Sequence, residues 1–469
     1  IIELIKGNTA INQYFAFNTT HVTNWTGHII LALFNLVAPA WIAQKVFLTF
    51  LVILFPFSFS LMVCRLNFDM RYLSFAIFPF SYSVFFFYGF YNFILAIIFF
   101  FLWMAVALKE SPVYTRKEKF LIFILLLLIE CSHVFVFLIA CGIFFIYMIS
   151  AAFRKNSTGS QSILKNIFLL LKKFFILISG ALVLFLYYFF HNTGSLIEKQ
   201  EVPTSWREIF FGVFNVSPAL GLGEYAGHLV FTRIFFCLLI FISVIFFIRK
   251  KSSEHSTNSI FILLAALALL LSYCLSMIFL NHGLYIQERC LLMFFLLWLT
   301  WITLHKTPRI LQILLVVYCV FISVLFISYY QKHLTLLSRR CYNIYDTGWK
   351  IEKNARDFCL NFSNHWMEHH VLDYLGADNS IVLYDNYECF QNHFPLKWKN
   401  KQLVRNIEYD FDNGLYSKIV SENVDYIAIL GEPEQTGRSR MNQSLVLTKN
   451  HFYKIAVSED NRLFIYKKK

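Results

Sequence analysis

Hydrophobic residues in the first 330 positions form long runs that polar residues seldom interrupt. A run of about 20 apolar residues is long enough to cross a bilayer as a helix. The run Tyr72–Leu108 is too long for one helix and is divided at Tyr88-Gly89, and the run 120–153 is divided at Ser132-His133. The pattern predicts ten spans, near 41–64, 72–88, 89–108, 120–134, 135–153, 174–191, 229–248, 260–280, 290–305 and 310–330.

Composition supports a membrane protein. The chain of 469 residues is 58% hydrophobic and 15% charged, whereas soluble proteins carry about 25% charged residues. This composition excludes a disordered, collagen-like or disulfide-scaffold chain. The sequence therefore predicts a mostly α, multi-span transmembrane helix bundle over 41–330, preceded by a loop region over 1–40 and followed by a soluble α/β domain over 331–469.

The basic residues predict the orientation of this bundle. With ten spans, one set of loops contains 16 Lys and Arg and the other contains four before the C-terminal domain. Cytoplasmic loops carry the excess of basic residues. The regions 1–40, 192–228, 281–289 and 331–469 are therefore expected outside the cytoplasm, with the chain in a bacterial inner membrane. No stretch interleaves basic and stacking aromatic residues as nucleic-acid interfaces do, so nucleic acid is not an expected partner.

The C-terminal region 331–469 has the pattern of a small α/β domain. Buried strands are predicted at Ser380–Asp385 and Val424–Leu430, with a helix at 414–423 between them. The segments 451–457 and 462–466 flank a Glu-Asp-Asn turn and predict a hairpin. This domain contains three cysteines, Cys341, Cys359 and Cys389. Two of them could form one disulfide, but the sequence does not reveal which two.

The first 40 residues predict two short amphipathic helices, near 1–14 and 26–38. These helices are expected outside the cytoplasm, but no signal peptide is visible, because the sequence starts at Ile1 without a basic leader. A preceding span with a cytoplasmic start is therefore expected in the natural protein, which would bring the total to eleven.

Polar residues gather at the outward ends of the spans. Ionisable residues inside membrane segments are costly and often functional. Each of these residues also has a structural explanation. An arginine can extend to lipid headgroups, and a buried carboxylate can pair with a neighbouring helix. The residues that form this outward set are His28, Glu130, His133, Glu224, His228, Arg233 and Arg289.

One stretch of the soluble domain fits a zinc peptidase pattern. His365-Trp-Met-Glu368-His369 matches His-x-x-Glu-His. No third ligand is evident and the domain is small, so a surface helix is the preferred interpretation and no metal ligands are assigned. A zinc hydrolase remains the third alternative for function.

The architecture and three stretches resemble the GT-C glycosyltransferase superfamily, especially its protein-mannosyltransferase-like and aminoarabinose-transferase-like branches. Asn24-Trp-Thr-Gly-His28 resembles the end of the family's first outward loop. Gln287–Phe294 resembles its Glu-Arg-Tyr-Leu-Leu-Pro stretch, with Cys290 and Met293 in place of Tyr and Pro. Asp385–Glu388 together with His393–Trp398 resembles the distal domain of multi-span bacterial relatives.

The resemblance implies transfer of a sugar from a polyprenyl-phosphate donor to a glycan, lipid or protein acceptor at the outer leaflet. A carboxylate would act as general base, and a guanidinium would hold the leaving phosphate. Arg289 is the first candidate for the phosphate and Arg233 the second, with His28, His133 and His228 as further substrate contacts. The family's base is expected upstream of Ile1, and the visible candidates are Glu3, Glu130 and Glu224. A divalent cation is compatible with this chemistry. The competing interpretation is a non-catalytic membrane scaffold or lipid flippase whose outward domain binds a partner.

Overall fold

The computed structural model describes residues 1–19, 23–109, 113–156, 163–191, 205–221, 226–248, 257–279, 285–363, 365–391, 394–431 and 439–469. The chain forms two compact units. The helical unit consists of Thr23–Gly27 and Leu48–Tyr330, and the sheet unit consists of Ile1–Val22, His28–Phe47 and Gln331–Lys469.

In chain order, the α-helices are α1 (Ile2–Ile5), α2 (Thr9–Tyr14), α3 (Thr26–Asn35), α4 (Ala40–Leu66), α5 (Val84–Phe87), α6 (Tyr91–Ala107), α7 (Arg116–Ser132), α8 (Val134–Asn156), α9 (Ile163–His191), α10 (Trp206–Phe214), α11 (Ala226–Ile248), α12 (Thr257–Phe279), α13 (Ile286–Thr303), α14 (Arg309–Gly348), α15 (Lys401–Asp412), α16 (Lys418–Asn423) and α17 (Ser439–His451). The strands are β1 (Phe15–Phe17), β2 (Arg356–Asn361), β3 (Val382–Leu383), β4 (Leu396–Trp398), β5 (Tyr426–Leu430), β6 (Phe452–Val457) and β7 (Leu463–Lys468).

Within the described residues, seven helices are long and apolar enough to cross a membrane: α4, α8, α9, α11, α12, α13 and α14. They coincide with seven of the ten predicted spans, and their length and composition are those of a multi-pass membrane protein. Helix α13 is the most enclosed, since 83% of its apolar window is buried against 28–44% in the other six. It is therefore enclosed by protein from Cys290 to Thr303, whereas its first turn is only partly buried.

The other three predicted spans are not membrane-length α-helices, so the prediction of ten is wrong in this respect. The segment predicted at 72–88 is a 3₁₀ helix over Phe68–Phe80 followed by the four-residue α5. Pro79 lacks the N–H that a continuous α-helix needs at this position. Helices α6 and α7 have 17 residues each, a length of about 25 Å at 1.5 Å per residue, against a hydrocarbon core of about 30 Å.

Both predicted divisions between helices are confirmed. Gly89 has a φ of +77° in the turn before α6, a conformation that glycine adopts without steric cost. Helix α7 ends at Ser132, and His133 has extended backbone angles. The positive φ of Gly89 and the extended backbone of His133 thus divide the two long apolar runs at the predicted turns.

The sheet unit contains a five-stranded sheet in the order β3-β2-β5-β7-β6. Strands β3, β2 and β5 are parallel, and β7 pairs antiparallel with both β5 and β6. The hairpin predicted at 451–457 and 462–466 is confirmed by β6 and β7, and the strand predicted at 424–430 by β5. The helix predicted over 414–423 is the shorter α16. Central strand β2 was not predicted, because its six residues begin with Arg-Asp and lack a clear apolar run.

Hydrophobic side chains cover both faces of this sheet. On one face, Phe358 of β2 stacks on Phe411 of α15, with ring centroids 4.0 Å apart. On the other, Cys341 and Ile344 from the last turns of α14 pack with Cys359. Burial of one large apolar side chain contributes about 1.5–3 kcal/mol, so these two layers hold α14 and α15 to the sheet. All ten cysteines are free thiols, so no disulfide forms among the three cysteines of this domain.

The N-terminal segment also belongs to the sheet unit. Strand β1 pairs antiparallel with β4, so Phe15 lies opposite Trp398, and their rings stack with centroids 4.3 Å apart. The amphipathic helix predicted over 1–14 is instead two short helices, because Gly7 has a φ of +77° and the Asn8 side chain caps α2. The helix predicted near 26–38 is α3.

The zinc-like stretch forms a short 3₁₀ helix over Trp366–Glu368. Glu368 is 2% exposed and pairs with Arg340 over 2.6 Å and with Arg462 over 3.1 Å. Because two guanidinium groups neutralise this carboxylate, it stabilises the domain rather than facing a metal. Among the described residues, no group of three or more His, Cys, Asp or Glu side chains has the arrangement of a metal site.

Candidate functional site

The loop before α3 is fixed against two helices of the helical unit. The Thr23 hydroxyl donates a hydrogen bond to the Glu130 carbonyl oxygen over 2.8 Å. The Asn92 side-chain nitrogen donates to the Asn24 carbonyl over 2.8 Å, and its oxygen accepts the Gly27 N–H over 2.6 Å. This loop therefore lies where α6 begins and α7 ends.

Local geometry accounts for two residues of this loop. Asn24 has a φ of +66°, in the left-handed region that asparagine tolerates better than most residues. A Cβ at Gly27 would lie 2.8 Å from the Asn92 side-chain oxygen, so glycine permits the close approach. Within the stretch Asn24–His28, the backbone of Asn24 and Gly27 thus sets the course of the loop.

Glu130 and His133 lie together at the end of α7. Glu130 is 2% exposed and His133 7% exposed. The Oε2 atom of Glu130 is buried and has no hydrogen-bond partner within the described residues. A buried carboxylate oxygen without a donor is destabilising by itself, so a functional role or a bound partner is the economical explanation for its retention.

Arg289 stands in the first turn of α13, with its guanidinium against aromatic rings. Its Cζ lies 4.9 Å from the centroid of Phe90 and 5.5 Å from that of Phe93. Its Nε is buried and has no hydrogen-bond partner in the described part of the chain. Phe93 also meets the His133 ring edge to face at 5.1 Å. Phe93 therefore connects Arg289 of α13 with His133 of α7.

The structure thus brings two predicted site residues, Arg289 and His133, against the ring of Phe93, and Glu130 lies three residues before His133 in the chain. A guanidinium offers five N–H donors in a planar fork that matches a phosphate or carboxylate. Attraction between this group and an anion is stronger in a protein interior than in water, because the effective dielectric constant is lower. The arrangement can hold an anion at Arg289, with an acid–base residue one helix away.

Arg233 and His228 lie on α11 with other neighbours. The Arg233 Nε donates to the Asn215 side-chain oxygen over 2.8 Å. The His228 ring packs against Phe326 and Tyr329 of α14, with centroids 5.1 Å and 4.5 Å away. These two residues therefore belong to a second polar location on α11.

Three further predicted residues lie elsewhere or outside the description. His28 belongs to the sheet unit, where its ring meets Phe394 edge to face at 5.1 Å. Glu3 accepts hydrogen bonds from Asn8 over 3.1 Å and from Ser380 over 3.0 Å. These hydrogen bonds lower the pKa of Glu3, and the bond from Asn8 has the largest effect. Glu3 is therefore a poor general base. Glu224 lies outside the described residues.

Sequence reasoning missed the side chains that organise this site. Asn92 and Phe93 were read as part of an apolar span, although a lone asparagine near the start of such a run is a usable signal. Tyr285 was also missed. It precedes α13 with a φ of +48°, and its ring centroid lies 5.4 Å from that of Phe90. Aromatic residues in a chain with 55 phenylalanines give no sequence signal of their own.

A second buried polar group lies in the sheet unit. Asp357 of β2 is fully buried, and its Oδ2 accepts a weak hydrogen bond from the Cys359 thiol over 3.8 Å. Burial raises the pKa of Asp357 to about 7. Burial and the nearby Asp357 also raise the pKa of Asp385, a residue of the stretch that resembles the distal domain of GT-C relatives. This group makes the unit sensitive to pH.

No known protein family matches the chain, and a search of curated proteins found no similar one.

Proposed function

We propose that the protein is a membrane glycosyltransferase of GT-C type, which transfers a sugar from a polyprenyl-phosphate donor to an acceptor at the outer leaflet. The observation that carries the proposal is the environment of Arg289. It combines a guanidinium whose Nε has no partner among the described residues with the aromatic rings of Phe90 and Phe93. An anionic ligand with an apolar tail suits a cation at the first turn of a membrane helix.

In this reaction, the bond between the sugar's anomeric carbon and the phosphate oxygen breaks, and a bond to the acceptor oxygen forms. Arg289 would bind the phosphate and stabilise the negative charge that grows on it as it leaves. Phe90 and Phe93 would hold the guanidinium in place. The acceptor hydroxyl loses its proton to a carboxylate. Glu130 is the described carboxylate candidate nearest to His133 in the chain, whereas Glu3 accepts hydrogen bonds within the sheet unit.

The proposal places the sheet unit outside the cytoplasm. Two observations support it. The strand pair β1–β4 joins the N-terminal segment to the C-terminal domain, so both lie on one side of the membrane. The basic residues gather in the loops assigned to the opposite side by a ratio of 16 to four, as expected for cytoplasmic loops.

The direct test is turnover with purified full-length protein. We expect release of polyprenyl phosphate from a panel of polyprenyl-phosphate hexoses and pentoses when an acceptor extract is present. Arg289→Ala should lower the rate about 100-fold or more, as loss of one charge-stabilising donor does in other enzymes. Arg71→Ala is the matched control, because Arg71 also lies over two rings, Phe68 at 4.5 Å and Tyr72 at 4.6 Å, but its guanidinium forms exposed hydrogen bonds, one of them to the Tyr72 hydroxyl over 3.1 Å.

Two outcomes would contradict the proposal. Donor binding without release of lipid phosphate would favour the scaffold or flippase interpretation, which requires a polar cavity but no base. Equal activity of the Arg289→Ala and Arg71→Ala variants would exclude Arg289 as the phosphate ligand. A parallel reaction with a chelator measures whether a divalent cation takes part.

A further inference from the structure

Helix α10 has the properties of a helix that lies in the membrane interface. Its nine residues begin with a Ser205 and Glu208 capping box. Trp206 is 69% exposed and Phe210 is 60% exposed. Tryptophan is enriched at the headgroup level of membranes, and short amphipathic helices of this kind lie in the plane of the bilayer. The exposed rings of α10 therefore indicate the level of the lipid headgroups.

Two guanidinium groups meet beside this helix. The Arg207 Cζ of α10 lies 5.5 Å from the centroid of Phe211, and the Arg233 Cζ of α11 lies 5.9 Å from the same ring. Arg233 also lies 5.4 Å from the centroid of Phe214. Within the described residues, neither guanidinium forms an ion pair with a carboxylate. Two positive charges therefore share one aromatic ring without a protein anion between them.

An apolar groove leads away from these charges along α11. Its volume is about 480 Å³, and it is lined by Val230, Arg233, Ile234, Cys237, Leu238 and Phe241. Val230, Ile234 and Phe241 are exposed on a helix that is apolar enough to cross a membrane. From Arg233 to Phe241 the groove runs about 12 Å at 1.5 Å per residue. The groove thus has a cationic end at the headgroup level and an apolar length that faces the bilayer.

We propose that this groove binds an anionic glycerophospholipid of the bilayer, with its phosphate between Arg207 and Arg233 and one acyl chain along Ile234 to Phe241. The two cations complement the phosphate, and Asn215 orients Arg233 through its 2.8 Å hydrogen bond. A groove that opens to the bilayer meets glycerophospholipids at far higher concentration than any carrier lipid, so mass action favours them. This site is separate from Arg289 and does not depend on sugar transfer.

Lipid binding to the full-length protein tests the proposal. Purified protein is incubated with micelles containing either phosphatidylglycerol or phosphatidylcholine, and bound lipid is counted by native mass spectrometry. We expect at least a tenfold preference for phosphatidylglycerol. The variant Arg207→Gln/Arg233→Gln should bring the ratio of the two lipids to about one. The control variant Lys306→Gln/Arg309→Gln removes two exposed basic residues elsewhere and should retain the preference.

A second variant tests the groove independently of charge. Ile234→Trp fills the groove from an exposed position, so it should weaken both lipids about equally while the protein remains folded. Arg207→Lys/Arg233→Lys keeps both charges and should keep most of the preference.

Three results would overturn the proposal. An unchanged lipid ratio in Arg207→Gln/Arg233→Gln would exclude the two arginines. Displacement of phosphatidylglycerol by equimolar polyprenyl phosphate would assign the site to the carrier lipid. Competition by 10 mM inorganic phosphate, a concentration on the order of that used for weak anion sites, would show that the site takes a free anion without needing the chain.

Discussion

At the scale of single residues, the neighbours of a polar group distinguish residues of the same type. Arg289 and Arg71 both lie over pairs of aromatic rings, yet only Arg289 lies at the start of the enclosed helix α13. Glu368 and Glu130 are each 2% exposed, but Glu368 is neutralised by two arginines. The same residue type thus serves stability in one unit and is available for chemistry in the other.

Asp357 gives a prediction at this scale. Its pKa is about 7 in the folded domain and about 3.9 in an unfolded chain. As the pH rises from about 4 to about 7, the unfolded chain releases a proton that the folded domain retains, so the domain loses stability through this window. An asparagine side chain at this position has no group that titrates in this pH range. We therefore expect Asp357→Asn to be more stable than the wild type at pH 8 and to lose this advantage near pH 4.

Hydrogen exchange of peptides from β2 and β5, corrected for intrinsic exchange rates, measures this difference in the full-length protein. Asp412→Asn makes the same chemical change at an exposed carboxylate on α15 and is the control. Equal protection of Asp357→Asn and wild type at pH 8 would contradict the assigned shift.

At the scale of elements, close approach of backbones assembles the candidate site. The loop before α3 reaches α6 and α7 through Asn92 and the Glu130 carbonyl. The 3₁₀ helix over Phe68–Phe80 contacts both α11 and α13 through Phe80, whose centroid lies 6.1 Å from that of Phe235 and 6.0 Å from that of Phe295. Irregular backbone at membrane depth is tolerated where protein surrounds it. Short irregular segments therefore set the positions of the longer helices around α13.

Gly27→Ala tests the first of these contacts. The added Cβ would lie 2.8 Å from the Asn92 oxygen, so the loop must move away and both hydrogen bonds to Asn92 weaken. We expect a loss of about 1–3 kcal/mol in stability, typical for a buried polar group left without its partner, together with reduced transferase activity. Thermal unfolding in detergent measures the first effect and release of lipid phosphate the second.

Gly142→Ala is the matched control for this variant. Gly142 lies inside α8, and nothing is within 4 Å of a Cβ placed there. Because alanine favours helix over glycine by about 1 kcal/mol, this variant should be slightly more stable than the wild type. A destabilised Gly142→Ala together with an unaffected Gly27→Ala would show that the loop contact is unimportant.

At the scale of the whole molecule, the N-terminal and C-terminal segments belong to the same sheet unit. The chain leaves the sheet unit in α4 and returns in α14, where Trp41 stacks on Tyr345 at 6.0 Å. Residues 68–87 lie between α4 and α6 and form no membrane-length helix. This segment contacts α14 at Gln312 through Met70 and at Tyr330 through Phe87. These α14 positions are about 27 Å apart at 1.5 Å per residue.

Cysteine labelling in intact cells tests the proposed orientation of the sheet unit and of the start of α7. We expect a membrane-impermeant maleimide to label Lys418→Cys, in the sheet unit, before lysis. Lys117→Cys, at the start of α7, should be labelled only after lysis. Both lysines are exposed, and the unsubstituted protein measures the background from its native cysteines. Labelling of both variants before lysis would contradict the proposed orientation, which requires the two positions to lie on opposite sides of the membrane.

Local sequence pattern was sufficient to predict seven apolar helices of membrane-spanning length, both helix divisions and the C-terminal hairpin. These are properties of neighbouring residues, since hydropathy, glycine conformation and strand alternation act over a few positions. It did not determine that 68–80 forms a 3₁₀ helix, because tertiary packing selects between helical forms of an apolar segment.

Only the tertiary structure decided which distant residues meet. The pairing of Phe15 with Trp398 and the contact of Phe93 with both Arg289 and His133 join positions far apart in the chain. Such contacts depend on how whole helices and strands pack, and one sequence gives no local signal for them. The candidate residues were therefore readable from their chemistry, while their grouping into one site around Phe93 required the fold.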